Sequence, residues 1–185
     1  SGRDMKALAI PSGPADPFET CTHFFLEMIN RSEDRLWIAS PYFVPDEQIV
    51  SALQAAALRG VDVRILLPKN PDHKLVYLSS FSYLVPAEKA GVKIFRYTPG
   101  FLHEKVVLVD DDTAAVGTAN LDNRSFRLNF EIMVAVESRE FAGAVREMFE
   151  TDFEKSVQAF ASDLTDASFF FRLSVKVARL MAPLQ

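Results

Sequence analysis

Cysteine occurs once in the 185 residues, at Cys21. One thiol excludes an internal disulfide and fits a reducing compartment. In its helix-like setting Cys21 reads as a small core residue. No apolar run reaches the roughly 18 residues that a membrane-spanning helix needs, and nothing resembles a signal peptide. The start at Ser1-Gly2 rather than Met reads as a cloning remnant ahead of a piece of a longer protein. Phosphate loops rich in glycine are missing too, since neither G-x-G-x-x-G nor a P-loop occurs. His103-Glu104 does not open a zinc-binding H-E-x-x-H, because position 107 is Val. Asp110, Asp111 and Asp112 are consecutive on a turn and cannot all face one ion, so neither a metal nor a cofactor is expected. Positive charge is short, with 20 Lys and Arg against 25 Asp and Glu and a net charge of −5. The pI near 5.2 argues against a general binder of polyanions such as nucleic acid.

What is present is ordinary globular composition, 49% hydrophobic and 24% charged, in a length that suits one compact domain over 1–185. Ala7 to Ile10 reads as an edge strand. Pro17 to Arg31 reads as a helix, with Phe18, Cys21, Phe24, Phe25, Met28 and Ile29 on its period and Pro17 in its first turn. Arg35 to Ser40 is a strand, P-Y-F-V-P a loop, and Asp46 caps a helix that runs to Arg59 and stops at Gly60. Val61 to Leu67 is a strand, Lys74 to Lys89 a helix ended by Gly91, and Val92 to Tyr97 a strand. Asn129 to Glu137 is a further strand, followed by a long amphipathic helix from Glu140 to Phe160. Strands alternating with helices predict an α/β fold, a mixed sheet flanked by helices in an α/β/α sandwich.

The densest chemistry lies in F-L-H-E-K-V-V-L-V-D-D-D-T-A-A-V-G-T-A-N, residues 101–120. Val106 to Val109 is a short buried strand, and side chains two apart on a strand share a face, so His103 and Lys105 point the same way. A tight turn at Asp111-Asp112 and a return strand over Thr113 to Val116 bring Thr118 and Asn120 back beside them. Imidazole, ammonium, hydroxyl and amide then meet in one place, a combination suited to phosphate.

This H-x-K-x4-D-x6-G-T-x-N pattern resembles the HKD signature of the phospholipase D superfamily. L-D-N-R-S-F-R-L-N-F-E (121–131), I-P-S-G-P-A-D-P-F-E (10–19), P-Y-F-V-P-D-E (41–47), R-G-V-D-V-R-I-L-L-P (59–68), P-D-H-K-L-V-Y-L (71–78) and A-G-V-K-I-F-R-Y (90–97) resemble the carboxy-terminal half of bacterial cardiolipin synthases. The resemblance implies a phospholipase D-like half with His103, Lys105, Asp110, Asn120 and Glu131 in its catalytic set. One imidazole attacks phosphorus and gives a phosphohistidine, and a second protonates the leaving alcohol. Lys105, Thr118 and Asn120 bind the phosphate oxygens without a metal. Glu131 matches the carboxylate that holds the imidazole, against the plainer reading of a solvated strand acid. Asp110 is either the first residue of an acidic turn or, as in the family, a structural support, and neither makes it an acid or base.

The implied reaction moves a phosphatidyl group between two phosphatidylglycerol molecules and releases glycerol. It is set at the cytoplasmic membrane of a bacterium. A hydrolase, a nuclease or a non-catalytic lipid-binding half are the alternatives. One signature is half a site, so the missing partner is an amino-terminal HKD half or a second copy of this chain. Among the other histidines, His73 is on a loop that either lines a cleft or sits on the surface, and His23 is structural. Gly117 gives backbone room. Finally, 164–185 reads as a carboxy-terminal amphipathic helix with Arg172, Lys176 and Arg179 along one stripe and no acid after Asp166. That pattern suits contact with an anionic membrane surface, or a terminal helix packed on the domain.

Overall fold

The computed structural model describes residues 5–70 and 72–181. The expected features at Ser1-Gly2, Pro71 and the tail beyond Met181 lie outside them. The elements run β1 (Lys6–Ser12), α1 (Thr20–Asn30), β2 (Arg35–Ala39), β3 (Phe43–Val44), α2 (Glu47–Leu58), β4 (Asp62–Pro68), α3 (Lys74–Phe81), α4 (Leu84–Ala90) and β5 (Lys93–Tyr97). They continue with β6 (Val106–Val109), β7 (Thr113–Gly117), β8 (Leu121–Asp122), α5 (Asn123–Arg127), β9 (Glu131–Glu137), α6 (Arg139–Glu154), β10 (Ser156–Ala159), α7 (Ser162–Thr165) and α8 (Phe169–Leu180).

Eight strands form one sheet in the order β1-β9-β7-β6-β2-β4-β5-β10. β2, β4 and β5 are parallel, and the other pairings are antiparallel. The continuous apolar runs at its centre follow from burial on both faces. Leu36, Ile38, Val107 and Val109 join the larger core with α1 and α2, while Trp37, Ala39, Val106 and Leu108 join a second core under α6. There Phe149 and Phe153 meet the Trp37 ring edge-on at 5.9 and 5.2 Å. The result is the expected α/β/α sandwich with a mixed sheet. α2 starts and stops as its sequence requires: the Asp46 carboxylate accepts the Ile49 amide at 3.0 Å, and Gly60 takes φ +102°.

Several expectations are corrected. α1 begins at Thr20, because the chain first closes a turn in which the Gly13 amide donates to Asp16 and the Asp16 amide to the Gly13 carbonyl. Pro17 is therefore outside the helix and Phe18 is 74% exposed. The Lys74 to Lys89 helix breaks at Ser82-Tyr83 into α3 and α4. Pro86 lacks an amide hydrogen, and its ring would strike the Ser82 carbonyl in a continuous helix. The P-Y-F-V-P segment is not all loop, since β3 pairs in parallel with β8.

The helix expected to reach Phe160 ends at Glu154. Thr98 then draws the Lys155 carbonyl with both its amide and its hydroxyl, and β10 pairs along β5. This strand covers what would otherwise be an open sheet edge. The expected strand from Asn129 starts at Glu131, and the tail is two helices rather than one.

Candidate active site

The start of β6 lies beside the end of β2, with Ala39 opposite Val106. Loops leaving the carboxyl ends of parallel strands therefore converge on the residues just before β6. His103 and Lys105 sit in that extended lead-in, not in the strand itself. Pairing nevertheless continues one step beyond β6, since the Gly117 amide donates to the Lys105 carbonyl at 3.1 Å. Glu104 turns toward the α6 face, where burial, reinforced by Asp152, pushes its carboxyl up. The residue between His103 and Lys105 thus faces away, as the two-residue alternation requires.

Gly117, the last residue of β7, stands opposite Met133 of β9. A Cβ there would lie 2.1 Å from the Ile132 carbonyl oxygen and 2.8 Å from the Met133 Cα, so the position tolerates no side chain. Thr118 then locks the crossing: its amide donates to the Ile132 carbonyl, and its hydroxyl oxygen accepts the Ile132 amide, both at 2.9 Å. The exposed hydroxyl expected to face phosphate thus gives one acceptor position to the sheet.

Lys105 is half-buried and donates to the His103 carbonyl at 3.0 Å. Burial holds its ammonium below the usual lysine range, and Glu131, Asp122 and Asp72 oppose that shift. The His103 ring is exposed and lies against Phe101, centroids 5.4 Å apart. Among the described residues no hydrogen bond reaches it. Glu131 is not bonded to the imidazole, contrary to expectation. Its Oε1 instead accepts from the Ser125 hydroxyl at 2.9 Å and the Asn129 side-chain Nδ2 at 3.1 Å. The Asn120 backbone N–H donates to the Ser125 hydroxyl oxygen at 3.0 Å, and the side-chain Oδ1 of Asn120 is buried without a hydrogen-bond partner.

Asp110 is at the opposite end of β6. One carboxylate oxygen accepts the Asp34 and Arg35 amides at 2.8 Å each, and both oxygens take the Glu33 amide at 3.2–3.3 Å. The residue stands at φ +51°, in the left-handed region that aspartate tolerates better than most residues. It fastens the far end of the hairpin to the entry of β2 and does not join the cluster. His73 is on the site side of the sheet: its ring meets Tyr42 edge-on at 5.9 Å, and Tyr42 donates to Asp72 at 2.7 Å. Burial and that carboxylate push the Tyr42 phenol well up. His23 is exposed on α1. No group of three or more His, Cys, Asp or Glu side chains among the described residues is placed to hold a metal ion.

Sequence reasoning gave no individual role to Ser40, Asp122, Ser125 or Arg127, which hold this cluster. The Asp122 carboxylate accepts the Ser125 amide at 2.7 Å and caps α5. Burial pushes its pKa up. Ser40 accepts the Leu121 amide at 3.0 Å and so joins the end of β2 to β8. Arg127 reaches Glu19 at 2.8 Å, Asp46 at 2.6 Å and Asn123 at 2.8 Å. Asp122 three residues before Ser125 was a legible capping signal. The long-range ties of Arg127 had none.

The arrangement offers an exposed imidazole beside an ammonium, with an amide and an ordered carboxylate behind them. Such a set can bind a phosphoryl group and attack it.

The profile described as cardiolipin synthase, PLD-like domain, matches residues 25–153. Cardiolipin synthase A of Pseudomonas aeruginosa strain LESB58 is 57% identical over 95% of this chain, which corresponds to 36% of that protein. The enzyme of the same name from Pseudomonas putida strain GB-1 is 54% identical over 95% of the chain and 37% of its own length. The chain therefore spans little more than a third of the curated relatives it matches. Among solved structures, phosphatidylserine synthase from Haemophilus influenzae aligns with all of the chain and 49% of its own, at TM-score 0.79 and 15% identity. The phospholipase D family member Nuc from Salmonella typhimurium aligns over 85% of this chain and 99% of its own, at TM-score 0.72 and 19% identity. At those identities the likeness is one of fold. With the profile covering most of the sheet and the whole signature, this chain belongs to the family of cardiolipin synthase, phospholipase D-like domains.

Proposed function

We propose that the chain is the carboxy-terminal catalytic half of a cardiolipin-forming phosphatidyltransferase at the cytoplasmic membrane of a bacterium. The observation that carries this is the placement of His103 and Lys105 at the mouth of a site backed by Asn120 and Glu131, in a chain so similar to cardiolipin synthase A. His103 supplies one of two imidazoles. One attacks the phosphorus of a phosphatidylglycerol: a P–N bond forms, the P–O bond to glycerol breaks, and the second imidazole gives its proton to the departing glycerol oxygen. A second phosphatidylglycerol then delivers its hydroxyl to phosphorus, its proton returns to the second imidazole, and the P–N bond breaks. Lys105 and Asn120 carry the charge that grows on the non-bridging oxygens. Glu131 supports the positive charge of the imidazole through the field of the site.

Neither His23 nor His73 belongs to a second signature, so one copy holds half of this machinery. The other imidazole comes from an amino-terminal half of a longer polypeptide, or from a second copy across a two-fold axis. The test is His103→Ala in the full-length protein, with cardiolipin and phosphatidic acid measured from phosphatidylglycerol. Expected is loss of cardiolipin at equal expression, with phosphatidic acid a minor product of the parent. Turnover above a few per cent of the parent, or robust turnover by this chain shown to be monomeric, would remove His103 or the half-site from the reading.

A further inference from the structure

The helix α8 is apolar on two opposite faces. Phe171, Val175 and Ala178 form the inner one: Val175 and Ala178 are 2% and 1% exposed, and Phe171 meets Phe81 of α3 edge-on at 5.2 Å. At 100° per residue, Phe169, Leu173, Val177 and Leu180 fall on the diametrically opposite stripe. They are exposed by 66, 46, 54 and 80%, and Phe170 beside them by 80%. Packing on the domain therefore explains only half of the apolar surface of this helix. An exposed apolar stripe of this size on a short helix signals a contact.

The flank of that stripe says what the contact is. Arg172, Lys176 and Arg179 line its edge, and no acid lies on α8, although the whole chain carries −5. With +3 on α8, the rest of the chain carries −8, so this helix is a net positive element on an otherwise net acidic chain. Arg179 is fixed by its hydrogen bond to Ser82 at 2.9 Å and by the Tyr83 ring at 4.8 Å, and Arg172 donates to the Thr165 carbonyl at 3.3 Å. Lys176 has no partner among the described residues. The three cations rim a groove of about 570 Å³ whose apolar walls are Leu164, Phe169 and Leu173. Apolar walls under a cationic rim match an acyl chain below a phosphate, and aromatic and leucine side chains beside Arg and Lys are the pattern of a helix lying in a bilayer interface.

We infer that the outer face of α8 docks this domain on an anionic lipid bilayer, with Phe169, Phe170, Leu173, Val177 and Leu180 in the acyl boundary and Lys176 among the headgroups. Arg172 and Arg179 hold the helix to the domain while facing the same surface. This deepens the proposed lipid chemistry by naming how the domain meets its substrate. It needs no turnover to test, so failure of docking and failure of catalysis are separate results.

The experiment is flotation of this chain with vesicles of equal phosphatidylglycerol and phosphatidylcholine, against phosphatidylcholine alone, at low and high salt. Expected is binding that requires phosphatidylglycerol and weakens with salt. Leu173→Gln with Leu180→Gln should weaken it at least tenfold, and Lys176→Glu several-fold, with unchanged melting because these side chains are exposed. Phe170→Trp gives a second reading, since the one native tryptophan, Trp37, is 3% exposed under α6. Emission from position 170 should shift to the blue and be quenched by brominated lipid. Absence of binding to phosphatidylglycerol vesicles, or binding indifferent to all three substitutions, overturns the inference. So does self-association of the chain that the same substitutions dissolve. A longer parent protein that melts earlier with them while still floating equally well also overturns it, because the stripe is then covered by protein.

Discussion

Replacing Asp110 by alanine separates the structural meaning of the signature aspartate from a catalytic one. The carboxylate accepts two 2.8 Å bonds from the Asp34 and Arg35 amides and a longer pair from Glu33. A hydrogen bond to a charged group is worth about 1.5–3 kcal/mol net, and the lower end applies here because the freed amides can reach water. Two good bonds then contribute roughly 3 kcal/mol. Alanine at φ +51° adds about 1 kcal/mol of left-handed strain that aspartate relieves through its local bonds. A loss of about 3–4 kcal/mol in a chain of this size lowers the melting temperature by roughly 6–16 °C. Asp110→Asn keeps an acceptor oxygen and the left-handed tolerance and should lose only about 1 kcal/mol. Thermal unfolding followed by far-ultraviolet circular dichroism measures both. Below the transition, turnover per folded molecule of the full-length Asp110→Ala protein should stay within a few-fold of the parent. An alanine variant that melts with the parent but has lost turnover would refute the reasoning, because the carboxylate would then act on the chemistry.

Glu131→Gln keeps an oxygen for Ser125 and Asn129 but removes the charge beside Lys105. Turnover of the full-length enzyme should fall by roughly a hundredfold or more with little change in melting, and an unchanged rate would make Glu131 a bystander. Gly117→Ala forces a Cβ toward the Ile132 carbonyl, so the two strands must part, at about 3 kcal/mol, and urea unfolding midpoints will show it. Cys21 is 2% exposed, and burial pushes its thiol up to about 12. The thiolate is thus scarce in the folded chain at pH 8, and an aromatic disulfide reagent should label it only after urea is added. Fast labelling of the native chain would contradict its place in the core.

Much of the sheet was legible because the central strands are buried on both faces and carry unbroken runs such as Val106 to Val109. Asp46 and Gly60 marked the ends of α2 by side-chain chemistry alone. Legibility failed where tertiary contacts override local pattern. S-V-Q-A at 156–159 continues an apolar period that suits a helix, and only the open edge of β5 turns it into a strand. The break after Phe81 was written in Pro86 but masked by apolar residues on either side. At the site, the alternation of His103, Glu104 and Lys105 was readable. That the Thr118 hydroxyl accepts the Ile132 amide depends on the register of β7 against β9, which no local pattern encodes, whereas the Glu131 partners Ser125 and Asn129 are near neighbours in the chain.

The five residues of α5 bear on how the molecule comes together. A helix that short has no stability of its own. It is held by the Asp122 cap and by Arg127, whose partners Glu19 and Asp46 lie 108 and 81 residues away in the chain. Residues 118–131 therefore take their shape jointly with the amino ends of α1 and α2, which supply the partners that α5 lacks locally. In the folded molecule Leu121 and Phe126, 0% and 3% exposed, seat this segment in the larger core, so its amides should exchange with those of the core rather than open alone.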